Sequence, residues 1–317
     1  MLASNKTFTL VTVLAIYWAA TFIAMKGIGW VGKISKWGGL IGTIIPAGLL
    51  IVLGIIYIAT GGHNYMDMSQ SFIPDLTKLD NLVLASSIFL FYAGMEMMGV
   101  HVMDVNNPSR NYPKAIIIGS LATVCIFVLG TFALGVIIPA KDINLTQSLL
   151  IGFDNFFRYF HIPWAGPVIA VALMLGVLAS VLTWVAGPSK GIFTVGKAGY
   201  LPPFFQKSNS HGVQRNILLV QGGIVTLLSL LFVVMPSVQS FYQILSQLTI
   251  LLYLIMYMLM FAAAITLRYK MKTAQRPFRL GKGNALMWIL GVVGVAGSLL
   301  AVILSFIPPG QISTGSN

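Results

Sequence analysis

Eight apolar runs, each long enough to cross about 30 Å of hydrocarbon, constrain this chain more than any other feature. They lie near residues 7–25, 38–60, 81–103, 114–138, 164–187, 216–235, 241–267 and 285–307. Hydrocarbon offers the backbone no hydrogen-bond partner, so each run has to be a helix; an open sheet edge would leave N–H and C=O groups unsatisfied. The expected fold class is therefore all-α integral membrane, with about eight transmembrane helices. Only 8% of the 317 residues are charged and 57% are hydrophobic, whereas a soluble domain carries about 25% charged residues. The one cysteine, Cys125, lies inside an apolar run and excludes an intrachain disulfide framework. No cleavable signal peptide is expected, because the first run has only a short polar start and no cleavage-like end.

The net charge of +12 invites a nucleic-acid reading. The placement of the charges answers it. The loops on one side hold Lys26, Lys33, Lys36, Arg110, Lys114, Lys190, Lys197, Lys207, Arg215, Arg268, Lys270, Lys272, Arg276, Arg279 and Lys282. The other side holds Lys6, Lys78, Lys141 and Arg158, together with Asp67, Asp75, Asp80, Asp142 and Asp154. A bias of fifteen basic residues against four is the positive-inside signature, so the first set faces the cytoplasm. The basic excess then reports topology and contact with the membrane surface, and no nucleic-acid partner is expected. Both ends of the chain fall outside in this scheme. If the complete protein keeps both ends in the cytoplasm, an odd number of helices is missing at each end.

The third run, "FYAGMEMMGVHVMDV" at 91–105, carries a carboxylate at Glu96 between Gly94 and Gly99. An ionisable group deep in a span costs roughly 2.5–3.5 kcal/mol on insertion scales, so it faces a cavity or a partner, or is protonated. Each glycine weakens a helix by up to about 1 kcal/mol relative to alanine. Together they permit unwinding around Tyr92, Ala93 and Gly94. Unwound backbone inside a membrane is tolerated where it lines a cavity, and its freed amides and carbonyls can hold a zwitterion. The competing explanation is that the glycines allow close helix packing and Glu96 satisfies a neighbouring helix end.

Two further stretches flank such runs. In "DVNNPSRNYPKA", Asn106 and Asn107 turn or cap the chain and Pro108 stops any preceding helix. In "TWVAGPSKGIFTVGKAGYLPPFF", the Gly, Pro and basic residues describe a helix that continues as an amphipathic cytoplasmic segment and ends at Leu201–Pro202. With "VIIPAKDINLTQSLL" as an external loop, these motifs resemble the amino acid–polyamine–organocation transporters, most of all their glutamate:γ-aminobutyrate antiporter branch. The resemblance runs over essentially the whole chain. It rests on small-Gly-x-Glu (Ala93, Gly94, Glu96), on Asn-Pro-x-Arg-x-x-Pro-x-Ala from Asn107 to Ala115, and on Gly-Pro-Ser-Lys-Gly from Gly187 followed by Leu201–Pro202.

The resemblance implies a twelve-span scheme built on two inverted five-helix repeats. This chain matches spans four to eleven of it, a partial inverted-repeat, broken-helix fold. Residues 1–317 would be a single transmembrane transporter domain, truncated at both ends. The implied activity is secondary transport of amino acids by alternating access, such as glutamate/γ-aminobutyrate exchange, in the cell membrane. The unwound part of the sixth family span, Leu90 to Gly94 with Tyr92 and Ala93, would offer main-chain groups to the substrate amino group. Glu96 would couple the broken helix to movement or protonation. Trp184 matches an aromatic that flanks the substrate, or is an interfacial belt residue. Ser180 stands where the branch has an acid, which removes a charge beside the substrate. Tyr253 and Tyr257, four residues apart, match tyrosines of the tenth family span and either contact substrate or pack.

No metal or cofactor is expected, because His63, His101, His161 and His211 lack ligand spacing. Glu96 and His101 fall on different helix faces. No phosphate-cradling G-x-x-x-x-G-K-[ST] loop occurs. The expected partners are a small amino acid, the bilayer and, if Glu96 exchanges a proton near working pH, a proton. Enzymatic use of Glu96 is not expected, because no nucleophile–base pair shares a face with it. The alternative to transport is a non-transporting fragment or membrane scaffold derived from such a transporter.

Overall fold

The computed structural model describes residues 5–66, 75, 77–78, 81–82, 88, 92–143, 147–234, 238–276, 278–279 and 283–307. All regular structure among them is helical. The long elements are α1 (Lys6–Ala24), α2 (Ile28–Ala59), α3 (Pro108–Ile137), α4 (Ser148–Tyr159), α5 (Ala165–Tyr200), α6 (Arg215–Ser229), α7 (Val238–Lys270) and α8 (Ala285–Ser305). By length and composition, α1, α2, α3, α5, the Ile244–Lys270 part of α7, and α8 can each cross a membrane.

Local chemistry sets several helix ends and irregularities. Asn5 caps α1, its side-chain oxygen accepting from Phe8 N–H at 3.0 Å. Within α2, Pro46 has no N–H to donate to the preceding turn, and a π-helical turn, Leu40–Ile44, absorbs the mismatch. The last turn of α5 is also π-helical, Gly196–Tyr200, and stops at Gly199, where φ is 89°. Leu201 is then extended and Pro202 follows, the expected end of that segment.

The chain divides into two compact units. One holds residues 1–68 and 122–241; the other holds 69–121 and 242–317. In the first unit, α2 and α5 meet at glycines: a Cβ on Gly42 would overlap the backbone of Gly176, and one on Gly176 would overlap Gly42. This close approach lets two helix backbones pack where lipid gives no hydrophobic drive to associate. Above and below the crossing lie two apolar clusters. Leu50, Leu53 and Tyr57 of α2 pack with Ala133, Val136, Phe153 and Phe156. Ala20 and Ala24 of α1 pack with Val31, Leu182, Val185 and Leu218. Trp18 on α1 joins α6, its indole N–H donating to Thr226 Oγ1 at 3.1 Å while the ring lies against Gly222. A buried polar pair, Gln214 Nε2 to Ser189 Oγ at 2.8 Å, ties the start of α6 to α5.

In the second unit, α7 and α8 pack through Ile250, Leu254 and Ala301, with Phe261 set against Gly294 and Ile265 against Gly291. Their facing ends are joined by Trp288 Nε1 donating to the Tyr269 hydroxyl at 2.8 Å.

Three sequence expectations change in detail. Lys33 and Lys36, expected in a loop, lie on a helix continuous with the second span, because Ile28–Gly39 has a face that packs on α5. The stretch 139–163, expected as an external loop, contains α4, whose Phe153, Phe156 and Phe157 are buried in the first cluster. The run at 216–235 becomes α6 followed by a short turn, Leu231–Val234, with a break at Leu230, whose N–H is shared between Thr226 O and Leu227 O.

Candidate functional site

In the second unit, Gly94 lies where the sequence leads one to expect unwinding. Gly94 adopts φ 108°, ψ −11°, a left-handed conformation open to glycine and strained for other residues. After it the chain winds more tightly, as a 3-10 helix over Met95–Asp104. Such runs are short as a rule, because their hydrogen bonds are poorer and side chains at i and i+3 eclipse. That eclipsing pairs His101 with Asp104, Nδ1 to Oδ2 at 3.3 Å, instead of with Glu96.

Two groups lie on the N–H of Gly94. Glu96 Oε2 accepts from it at 3.0 Å, and the Tyr257 hydroxyl oxygen lies 3.3 Å from the same nitrogen. The Tyr257 hydroxyl in turn donates to Glu96 Oε2 at 2.8 Å. A backbone amide, a carboxylate and a phenol thus close a three-membered ring of polar contacts. The other carboxylate oxygen, Oε1, is buried without a hydrogen-bond partner among the described residues. Tyr253, one turn before Tyr257, lies with its ring 5.9 Å from that of Tyr257. Tyr112 approaches from α3, its hydroxyl 3.6 Å from where a Cβ on Gly99 would be. Tyr92 and Ala93 precede the break and are described; Leu90 lies outside the described residues.

The first unit holds the other predicted residues. Ser180 and Trp184, at i and i+4 on α5, line one cavity of about 330 Å³ together with Val177, Val181, Val185 and Tyr17 of α1. The walls are apolar apart from the serine, the indole and the phenol. Tyr17 Oη is buried and interacts with the side chain of Gln221 on α6, whose Oε1 is buried as well. Sequence reasoning passed over Tyr17. Its only signal was a phenol inside an otherwise apolar run, "AIYWAATF", and nothing in the linear pattern joins it to α5.

The site residues therefore gather in two clusters. Gly94, Glu96, Tyr257 and Tyr253 form one, and Ser180 and Trp184 with Tyr17 form the other. Neither resembles a hydrolytic or metal centre. Among the described residues, no group of three or more His, Cys, Asp or Glu could hold a metal ion. What the first cluster offers is a carboxylate oxygen and a phenol gathered on a main-chain amide, which is hydrogen-bonding chemistry for a charged small molecule or a proton. The second offers an aromatic face and apolar walls.

A family model described as amino acid permease matches residues 2–317. The chain belongs to the amino acid permease family. Known relatives agree with that membership. The chain is 35% identical over 311 residues to an uncharacterized transporter of Legionella pneumophila, covering 98% of this chain and 67% of that protein. It is 31% identical over 317 residues to a glutamate/gamma-aminobutyrate antiporter of Lactococcus lactis, covering 98% of this chain and 63% of the antiporter. A putrescine transporter of Escherichia coli is 24% identical over 261 residues, or 81% of this chain and 56% of the relative. The chain thus spans about two thirds of the length of the first two. It is a multi-pass protein of the cell membrane, and its family is one of small-molecule transporters.

Proposed function

We propose that the permease carries amino acids across the membrane by exchange, glutamate against γ-aminobutyrate or a similar pair, through alternating access. The observation that carries this reading is the left-handed turn at Gly94, where its amide, Glu96 and Tyr257 meet. A span interrupted by non-helical backbone is a device for holding a charged solute at mid-membrane. The similarity to a glutamate/gamma-aminobutyrate antiporter supplies the substrate pair.

In this reading the main chain from Leu90 through Tyr92, Ala93 and Gly94 receives the substrate amino group. Glu96 Oε1 is the place where an ammonium group or a proton sits. In the first unit, Ser180 and Trp184 with Tyr17 offer an aromatic and apolar contact surface for an amino acid. A proton accompanies the substrate when Glu96 gives one up between the two access states. Proteoliposomes loaded with γ-aminobutyrate and given labelled external glutamate test the proposal. Uptake that requires internal amino acid is the expected result. A folded, monodisperse chain with no counterflow for any amino acid would overturn it and leave a membrane scaffold derived from such a transporter.

A further inference from the structure

Leu40–Ala59 of α2 is twenty residues long and carries no charge, enough to cross the hydrocarbon alone. The preceding Ile28–Gly39 extends the same helix by about 18 Å, and its two sides differ. Val31 is buried against α5, Ser35 Oγ lies 2.7 Å from Thr183 Oγ1, and a Cβ on Gly38 would overlap Ala179. The opposite side reads Trp30, Lys33, Trp37, spaced i, i+3, i+7, and therefore forms one stripe; Lys26 precedes the helix, across Gly27 at φ 109°, and its side chain reaches Trp30.

All four side chains are exposed, the two indoles by 57% each. Lys26 Nζ stands 5.8 Å from the centre of the Trp30 ring, and Lys36 Nζ 5.5 Å from that of Trp37. These contacts hold the ammonium groups beside the indoles rather than free in water. Of the seven acidic residues in the chain, Asp67 is the first, so none stands on or before α2 to neutralise the stripe.

We propose that this stripe is a binding site for the phosphate headgroups of anionic lipids in the inner leaflet. Lysines supply the charge, and tryptophans lie at headgroup level, where their amphipathic rings prefer to be. The charge bias of the loops places this end of α2 in the leaflet where anionic lipids attract basic segments. The occupant is a lipid because the stripe continues a helix that is itself in the bilayer, so a headgroup reaches it with its tails still in hydrocarbon. The inference is independent of whether the chain transports.

The test uses the whole chain in nanodiscs of phosphatidylcholine with or without phosphatidylglycerol. Native mass spectrometry then counts the phosphatidylglycerol molecules kept on release. The wild type should retain phosphatidylglycerol over phosphatidylcholine. The triple variant Lys26→Gln, Lys33→Gln, Lys36→Gln should lose that preference, on the order of a hundredfold for three charges, and high salt should weaken it in the wild type. The variant Lys6→Gln, Lys78→Gln, Lys141→Gln removes equal charge from the other side and should bind as the wild type does. Equal retention by wild type and the first variant, or equal loss in both variants, would overturn the proposal. A second readout is quenching by nitroxide-labelled phosphatidylglycerol. It should fall when Trp30 and Trp37 are both replaced by Phe; unchanged quenching would mean that another protein segment covers the stripe.

Discussion

The Tyr257 hydroxyl donates to Glu96 Oε2 at 2.8 Å across 161 positions of sequence, and both groups also lie on the N–H of Gly94. One phenol therefore holds both the carboxylate and the amide that the break exposes. Tyr257→Phe removes the only donor among them that comes from another helix. A hydrogen bond to a carboxylate contributes about 1.5–3 kcal/mol. The thermal midpoint of the purified chain should fall accordingly, and substrate counterflow should drop several-fold. An unchanged midpoint with unchanged exchange would make the contact incidental.

Gly94 itself is required by geometry. At φ 108° a Cβ is strained whatever space surrounds it. Gly94→Ala should lower stability by about 1–3 kcal/mol, read as a shift in midpoint. Gly99, which lies within the 3-10 helix without a positive φ, should accept alanine more easily. If both substitutions cost the same, the left-handed turn is not what the glycine provides.

The crossing of α2 and α5 makes a sharper contrast on one helix. A Cβ at Gly42 would overlap the Gly176 backbone, whereas one at Gly39 meets nothing within 4 Å. Gly42→Ala forces the two helices apart and should cost at least about 1–3 kcal/mol, the range for overpacking. Gly39→Ala gains helix propensity and should be neutral or stabilising by up to about 1 kcal/mol. Midpoints of the two variants in the same detergent decide the matter. Equal effects would mean that the crossing is loose.

Much of this fold is legible in the sequence because the membrane reduces the choices. Uncharged runs of about twenty residues read directly as α1, the apolar part of α2, α3, α5, α7 and α8. The break at Gly94 and the stop at Leu201–Pro202 were also visible, since glycine and proline act through local backbone geometry. Contacts set by tertiary packing were not. Lys33 and Lys36 look like loop residues until Val31 and Gly38 find α5. Likewise α4 looks like a loop because its phenylalanines become a buried face only against Tyr57 and Ala133. In the site, the match of Ser180 with Trp184 follows from helical spacing. The joining of Tyr17 to them depends on which helices neighbour each other, which hydropathy does not encode.

Glu96→Gln keeps the shape of the side chain and its ability to accept from Gly94 N–H and Tyr257, but it cannot carry a proton. If Glu96 hands over a proton during exchange, the pH dependence of counterflow should flatten in this variant while the midpoint changes little. Rates measured across a pH series on both forms make the comparison. Identical profiles would remove Glu96 from proton coupling and leave it as the anchor of the break.

Tyr17 tests the second cluster. Its hydroxyl is buried and interacts with the Gln221 side chain of α6. Tyr17→Phe removes that hydroxyl and keeps the ring. Because Tyr17 lines the same cavity as Ser180 and Trp184, the variant should lose part of the extra stability that bound substrate confers by mass action. Midpoints of both forms, with and without substrate, make the comparison. An undiminished substrate-induced shift would place the substrate away from this cavity.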